Sequence, residues 1–226
     1  MTSLRTRRRS GQDGFTLVEL LVSMTIMVVV SSMIIVIWIE LTRTSAFAQS
    51  VNTAASSASY AIDRVSAELR DAQPPSTSST TPFIFTMASP NVCDGYDCTF
   101  YSAYNNPLTA SQSGANGVGE LLPTSIWLDS SGTLWWERDT NGDGVFDAGD
   151  KTILLARNVV NTSSGVNRPI FTYVFCSSGG VYSTSTSLTA ANCSTLVAID
   201  IEIVVDQNLN NVPTYVDYVS TVCPQN

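Results

Sequence analysis

The sequence predicts an α+β protein in which one long N-terminal helix packs on an antiparallel β-sheet. An uncharged apolar run over residues 20–39 is long enough for a helix that crosses a membrane. A helical pattern of apolar residues continues well beyond that run. After residue 81 the chain changes to short strand-like runs that are separated by turn residues. One helix followed by several strands is typical of the α+β class.

The amphipathic continuation of the helix is read from its spacing. Apolar residues recur every three or four positions and therefore form a single stripe on a helix. The members of that stripe are Phe47, Val51, Ala54, Ala58, Ile62, Val65 and Leu69. The pair Pro74-Pro75 cannot continue a helix, so the predicted helix covers residues 15–72. We expect residues 15–41 to lie in a membrane or against other helices, and residues 42–72 to pack on a β-rich domain at 73–226.

The strand predictions rest on β-branched and aromatic runs with polar turns between them. They cover residues 83–87, 125–129, 133–137, 152–155, 170–175, 196–205 and 215–222. The clearest run is 196–205, where Val197, Ile199 and Ile201 alternate with Asp200 and Glu202. Such alternation is typical of a strand with one buried and one wet face. The polar stretches 102–119 and 177–192 are interpreted as surface loops.

The N-terminus carries the most specific motif of the chain. A basic cluster with four arginines at positions 5–9 precedes the sequence Gly14-Phe15-Thr16-Leu17-Val18-Glu19-Leu20-Leu21-Val22. This segment resembles the cleavage and methylation motif of type IV prepilins and type II secretion pseudopilins. The resemblance covers about residues 5–45. It implies that a prepilin peptidase cuts between Gly14 and Phe15 and methylates Phe15. Residues 1–14 would then be a leader, and Glu19 would become the fifth residue of the mature chain.

Two other interpretations of this segment compete with the resemblance. Ala46-Phe47-Ala48 before Gln49 imitates a signal-peptidase site, but the apolar run is too long for a secretory signal and contains Glu19. A plain membrane anchor would leave Glu19 unexplained, because a charge inside lipid is costly. The arginines on one side of the run predict a single pass through the cytoplasmic membrane with the C-terminal domain outside. Assembly would carry that domain into an extracellular filament.

The composition of the chain argues against several classes of function. The formal net charge is −8, and Lys151 is the single lysine, which argues against nucleic acid as the main partner. The chain has no histidine, so Ser-His and Cys-His nucleophile pairs are excluded. It also has no P-loop and no dinucleotide fingerprint. The sequence therefore predicts a structural protein rather than an enzyme.

Residues 139–150 resemble a calcium-binding loop. Oxygen donors occupy positions 1, 3, 5, 9 and 12 of the loop, with a glycine at 6 and a backbone carbonyl at 7. The predicted ligands are Asp139, Asn141, Asp143, the carbonyl of Val145, Asp147 and Asp150. Position 12 is Asp rather than Glu, so its bidentate reach is shorter. The competing interpretation is an acidic hairpin turn without metal.

Five cysteines in a domain outside the cytoplasm indicate disulfides. Cys93 and Cys98 are close in sequence, and Cys176 and Cys193 flank a polar loop, so proximity favours these two pairs. Cys223 is then left over, and other pairings stay open.

The resemblance and the organisation of the chain together predict a minor pilin or pseudopilin, similar in size to W-type minor pilins and J-type pseudopilins. Its expected partners are other pilin subunits, the prepilin peptidase and the membrane. The alternative is a calcium-ordered adhesin at a pilus tip. Trp127, Trp135 and Trp136 could line a sugar-binding face, but neighbours on a strand point oppositely, so at least one tryptophan belongs to the core.

Overall fold

The computed structural model describes residues 16–74, 81–84, 93–104, 121–141, 145–163, 166–207 and 215–224. A single α-helix, α1 (Leu17–Arg70), is followed by strands that all pair antiparallel. The strands are β1 (Asp97–Ser102), β2 (Leu122–Leu128), β3 (Leu134–Arg138), β4 (Lys151–Ala156), β5 (Phe171–Cys176), β6 (Tyr182–Ser185), β7 (Leu196–Val205) and β8 (Val216–Val222). A short 3₁₀ turn, Cys193–Thr195, leads into β7. The α+β prediction is confirmed.

The strands form two four-stranded sheets where the sequence predicted one. Sheet A has the order β1-β2-β3-β4, and sheet B has the order β6-β5-β7-β8. Six of the eight strands match predicted ones to within a few residues. Strand β1 was not predicted, and β6 lies inside a stretch interpreted as a loop. In the predicted strand 83–87, Phe83 forms only an isolated bridge with Phe100, and 85–87 lie outside the described residues.

The solvent exposure of helix α1 changes along its length. From Leu17 to Gln49 every residue is exposed, whereas Ala54 is completely buried. The buried apolar positions then follow the predicted stripe at Ala54, Ala58, Ile62, Val65 and Leu69, and Ala61 is buried in addition. Phe47 is 47% exposed, so burial starts later than the stripe suggested. The helix ends at Arg70, two residues before the predicted end.

One hydrophobic core joins the C-terminal part of α1 to both sheets. Sheet A contributes Phe100, Ile126 and Trp136, and sheet B contributes large residues such as Tyr173 and Ile201. A polar contact also joins α1 to sheet B, because the Oγ atoms of Ser66 on α1 and Ser220 on β8 are 3.1 Å apart. Chain packing divides the molecule into two compact units, Met1–Ala48 and Gln49–Asn226, and this core belongs to the second.

A β-bulge accounts for one departure from the alternation predicted in β7. Val174 pairs with Ala198 and Phe175 pairs with Leu196, so Val197 has no partner on β5. Val197 is 39% exposed, while Ile199 and Ile201 are completely buried as predicted. A bulge inserts one extra residue and re-aims its side chain.

Candidate functional site

Two residues of the motif, Thr16 and Glu19, lie at the N-terminal cap of α1. The hydroxyl oxygen of Thr16 accepts a hydrogen bond from the backbone N–H of Glu19 at 3.2 Å. The carbonyl of Thr16 accepts the N–H of Leu20, also at 3.2 Å. Thr16 is therefore the N-cap, and Glu19 occupies the third helical position, where an acidic side chain is favourable near the positive end of the helix dipole. The Thr-x-x-Glu spacing is a capping-box signal that the sequence reasoning missed.

The surface of α1 that follows the cap is suited to lipid or to other helices. It is the one helix among the described residues that is long and apolar enough to cross a membrane, and it lies near the N-terminus. Three hydroxyls on this surface bond within the helix. The side chains of Ser23, Thr25 and Ser32 donate to carbonyls one turn earlier, at 2.9, 2.8 and 2.7 Å. Such bonds remove the cost of leaving a donor unpaired in an apolar medium.

Glu19 is the exception on this surface. Among the described residues its carboxylate forms no ion pair, whereas Glu40 at the far end of the apolar run lies 3.4 Å from Arg43. A carboxylate in an otherwise apolar segment can accept a cation or a strong donor from another molecule. Gly14 and Phe15, the residues on either side of the predicted cut, lie outside the described residues.

At the other end of α1 a buried ionic cluster attaches the helix to sheet A. The Glu68 side chain is completely buried. Its Oε2 lies 2.7 Å from Nη2 of Arg138 on β3 and accepts a hydrogen bond from the hydroxyl of Ser102 at 2.7 Å. Its Oε1 lies 2.8 Å from Nη2 of Arg64, one turn back on α1. One carboxylate thus bridges two guanidinium groups and two secondary-structure elements.

Each of the three guanidinium nitrogens of Arg138 donates a hydrogen bond. It donates to the hydroxyl of Thr124 at 3.1 Å and to the carbonyl of Tyr104 at 2.9 Å. Arg138 and Arg64 also lie 4.9 and 4.8 Å from the centre of the Trp136 ring, within cation–π range. Burial raises the pKa of the Glu68 carboxyl, and the neighbouring Arg138, Ser102 and Arg64 oppose that rise by favouring the carboxylate.

This cluster was not predicted from the sequence. Glu68 lies beside the apolar stripe and four residues after Arg64, a spacing that usually indicates an exposed helix pair. The distant partner Arg138 could be found only from the fold. The cluster fixes how the C-terminal part of α1 sits on sheet A.

The acidic loop at 139–150 is closed by its own carboxylates. The Asp150 side chain accepts the backbone N–H groups of Thr140 at 2.9 Å and of Asp147 at 3.0 Å, and Asp147 accepts that of Gly149 at 2.7 Å. Asp139 is buried, while Asn141 and Val145 are exposed. Asp143 lies outside the described residues. In the described part of the chain no three His, Cys, Asp or Glu side chains gather as a metal site. Calcium binding stays a prediction.

The structure brings one of the two expected cysteine pairs together. None of the five cysteines, all of which lie within the described ranges, is joined in a disulfide in the structure. The sulfur atoms of Cys93 and Cys98 are 3.6 Å apart. The sulfur of Cys193 lies 2.7 Å from the hydroxyl of Thr81. Both pairings stay predictions.

Of the three tryptophans, Trp136 is a core residue with 1% exposure, as the alternation along the strand required. Trp127 and Trp135 pair across β2 and β3 with stacked rings, whose centres are 6.3 Å apart. The Trp135 Nε1–H donates to Asp129 at 2.9 Å. This stacking covers one face of each ring.

Comparison with known proteins identifies the N-terminal segment. Residues 9–35 match the family model described as the prokaryotic N-terminal methylation motif. No curated protein matches the chain. The matched residues contain the cap, Glu19 and the first part of the apolar surface of α1.

Proposed function

We propose that the protein is a filament subunit, because residues 9–35 match the prokaryotic N-terminal methylation motif and resemble the N-terminus of type IV prepilins and pseudopilins. It would be a minor pilin or pseudopilin of a type IV pilus or a type II secretion filament. The prepilin peptidase would remove residues 1–14, and the exposed apolar half of α1 would anchor the subunit and later pack against its neighbours. Pilin-type subunits are structural proteins, so we propose no catalytic role.

The main support for this proposal is that the methylation motif overlaps the exposed apolar surface of α1. The matched residues 9–35 run into a helix that is exposed on all sides from Leu17 to Gln49. Large apolar side chains that are exposed all along a helix require a bilayer or partner helices. The arginines before the helix favour retention of the leader in the cytoplasm, with the β-rich unit on the other side of the membrane.

Glu19 is the residue that we propose to drive assembly. After the cut, each subunit has a charged amino group at Phe15, four residues before Glu19. In lipid the unpaired carboxylate is unfavourable, and beside the amino terminus of a neighbouring subunit the two charges stabilise each other. Movement from the bilayer into the filament would therefore be favoured by this pairing together with helix packing.

The processing step gives the direct test. Mass spectrometry of the mature protein, expressed with its peptidase, should find methylated Phe15 as the first residue. Gly14→Arg should block the cut, because the peptidase requires a small residue there, and Gly11→Arg should leave it intact as the matched control. A mature chain that starts at Gln49 would instead identify a secretory signal and overturn the proposal.

The choice of a particular type of pilin subunit rests on the size and organisation of the chain alone. A β-rich unit as large as Gln49–Asn226 favours a W-type minor pilin or a J-type pseudopilin over a major subunit. The comparisons give no support to the tip-adhesin alternative. Isolation of filament complexes with this chain as bait should recover other pilins in excess of it.

We retain calcium as a proposed ligand of the 139–150 loop. Asp147 and Asp150 already share one turn, and the Asp150 carboxylate uses its oxygens to hold two backbone N–H groups of the loop. A carboxylate has about four lone-pair sites, so it can accept these bonds and still bind an ion. Extracellular calcium modules bind at about 10⁻⁴–10⁻³ M, which suits a domain outside the cell.

A further inference from the structure

Two buried thiols meet where sheet A begins. The sulfur atoms of Cys93 and Cys98 are 3.6 Å apart, and neither residue has any exposed surface. Cys98 lies in β1 and pairs with Ile126 of β2. The thiol of Cys93 also donates to the carbonyl of Thr99 at 3.4 Å. A disulfide has a sulfur–sulfur distance of about 2.05 Å, so a small adjustment of the side chains separates this contact from a bond.

The four residues between the cysteines form a tight turn that keeps the sulfurs together. The Asp94 side chain accepts the N–H groups of Tyr96 at 2.7 Å and of Asp97 at 3.0 Å. The N–H of Asp94 donates to the carbonyl of Asp97 at 2.9 Å. An Asp at the start of such a turn fixes the backbone through its own side chain. The proximity of the two sulfurs is therefore a property of the local chain.

Sheet B closes over this turn. The carbonyl of Gly95 accepts the N–H groups of Ile170 at 2.7 Å and Phe171 at 3.0 Å, where β5 begins. The carbonyl of Cys93 accepts the N–H of Leu188 at 2.8 Å. A side chain at Gly95 would place its Cβ 3.0 Å from the Cβ of Pro169, closer than ordinary packing allows. The turn is thus seated between the two sheets, and its thiols are enclosed once the fold is complete.

We infer that Cys93 and Cys98 form a disulfide during folding, before sheet B closes over the turn, and that this bond fastens the junction of the two sheets. The thiolate of one cysteine attacks an oxidised disulfide carrier and releases one carrier thiol. The second cysteine then attacks the resulting mixed disulfide, which forms the Cys93–Cys98 bond and releases the other carrier thiol. Two protons leave the cysteines, and the carrier gains the two electrons.

The order of events follows from how enclosed the thiols are. Exchange requires a thiolate that can reach the carrier. In the folded molecule, burial and the adjacent Cys93 raise the pKa of the Cys98 thiol well above its usual range, so its thiolate is scarce. Cys223 is exposed and Cys176 is half-buried, so these thiols stay accessible after folding. Oxidation at the buried pair is therefore fast in the open chain and slow in the folded one.

The test uses the full chain, reduced and purified in detergent, with oxidised glutathione as the carrier. One sample is refolded from urea in a glutathione buffer, and a second receives the same buffer after refolding under reducing conditions. Free thiols are then alkylated in denaturant, and the peptides are mapped by mass spectrometry. Because the experiment is done in vitro, its result does not depend on where the chain resides or whether it is a pilin.

We expect a Cys93–Cys98 link in the chain oxidised while it refolds, and formation of that link at least about tenfold more slowly in the prefolded sample. The linked protein should melt roughly 4–8 °C above its reduced form, as for a short closed loop in a domain of this size. Cys223→Ser serves as the control and should change neither result. Recovery of Cys93 and Cys98 as free thiols, or a link from either to Cys193, would overturn the inference. Equal rates in the two samples would overturn the proposed order.

Discussion

Replacing Glu68 by Gln should strongly destabilise the unit Gln49–Asn226. The substitution keeps the shape of the side chain and an oxygen that can accept from Ser102 and Arg138, but it removes the negative charge and places an NH2 donor opposite Arg64. Arg138, whose side chain is 6% exposed, then remains buried without the carboxylate that it contacts at 2.7 Å. Arg64 is better placed to adapt, because 16% of its side chain is already exposed.

The magnitude follows from that difference between the two arginines. Removal of one member of a buried ion pair typically costs about 3–5 kcal/mol, because the partner is left as an uncompensated charge. We take the lower end, about 3 kcal/mol, since Arg64 can extend its guanidinium to water. In a domain of roughly 150–250 residues this corresponds to a fall of about 6–12 °C in Tm.

The assay is thermal unfolding of the full chain in detergent, followed by near-UV circular dichroism. Trp136 lies beside both arginines, so the near-UV signal includes a contribution from the cluster. Asp63→Asn is the matched control, because Asp63 is an exposed acid on the same part of α1. Its stability should stay within about 0.5 kcal/mol of the original. If Glu68→Gln and Asp63→Asn melt together, the cluster does not hold the helix on sheet A and our reasoning fails.

Three further predictions concern assembly, metal and pH. Glu19→Leu should be processed and stay in the membrane but be missing from sheared filaments, while Glu40→Gln should assemble; normal assembly of Glu19→Leu would refute the pairing of charges. The full chain should melt higher in millimolar calcium than in chelator, with little effect of magnesium, and Asp143→Ala should remove that difference; equal melting temperatures would make the loop an acidic turn. Burial and a neighbouring carboxylate raise the pKa of Asp97 to about 6, so the proton bound to Asp97 stabilises the fold fully below about pH 4, and this stabilisation is lost as the pH rises through 6. Since Asp97 is only half-buried, Asp97→Asn should raise the free energy of unfolding by only about 1 kcal/mol at neutral pH. At acidic pH it should leave that free energy unchanged. Urea unfolding measures both values, and equal effects at both pH values would contradict this assignment.

The features that could be predicted from the sequence are those set by local chemistry. The burial of Ala54, Ala58 and Ile62 follows from helical spacing, and the burial of Ile199 and Ile201 follows from alternation along a strand. Strand β6 escaped prediction because its four residues are Tyr, Ser and Thr, and its exposed edge position needs no apolar face. Strand β1 escaped because its buried positions include Thr99 and Ser102, so its six residues show no alternation of apolar and polar side chains.

Long-range partners could not be predicted in the same way. A period of two shows which face of a strand is buried, but it does not say which strands share a ladder, so the division into two sheets had no local signal. Glu68 and Arg138 are 70 residues apart in the chain, and each has ordinary neighbours in sequence. Their pairing depends on the register of α1 against β3, which only the folded core determines.

Different stretches of α1 serve processing and core packing, and where these stretches begin and end affects how such a protein can evolve. Residues matched by the methylation motif end at 35, and complete burial in the core starts at Ala54. Between them every residue up to Gln49 is exposed. Selection on processing and selection on the β-rich unit therefore act on separate stretches of one continuous helix. A recombination point inside that interval could exchange the entire C-terminal unit for an unrelated one while keeping the export signal, provided that the helical phase is preserved across the joint.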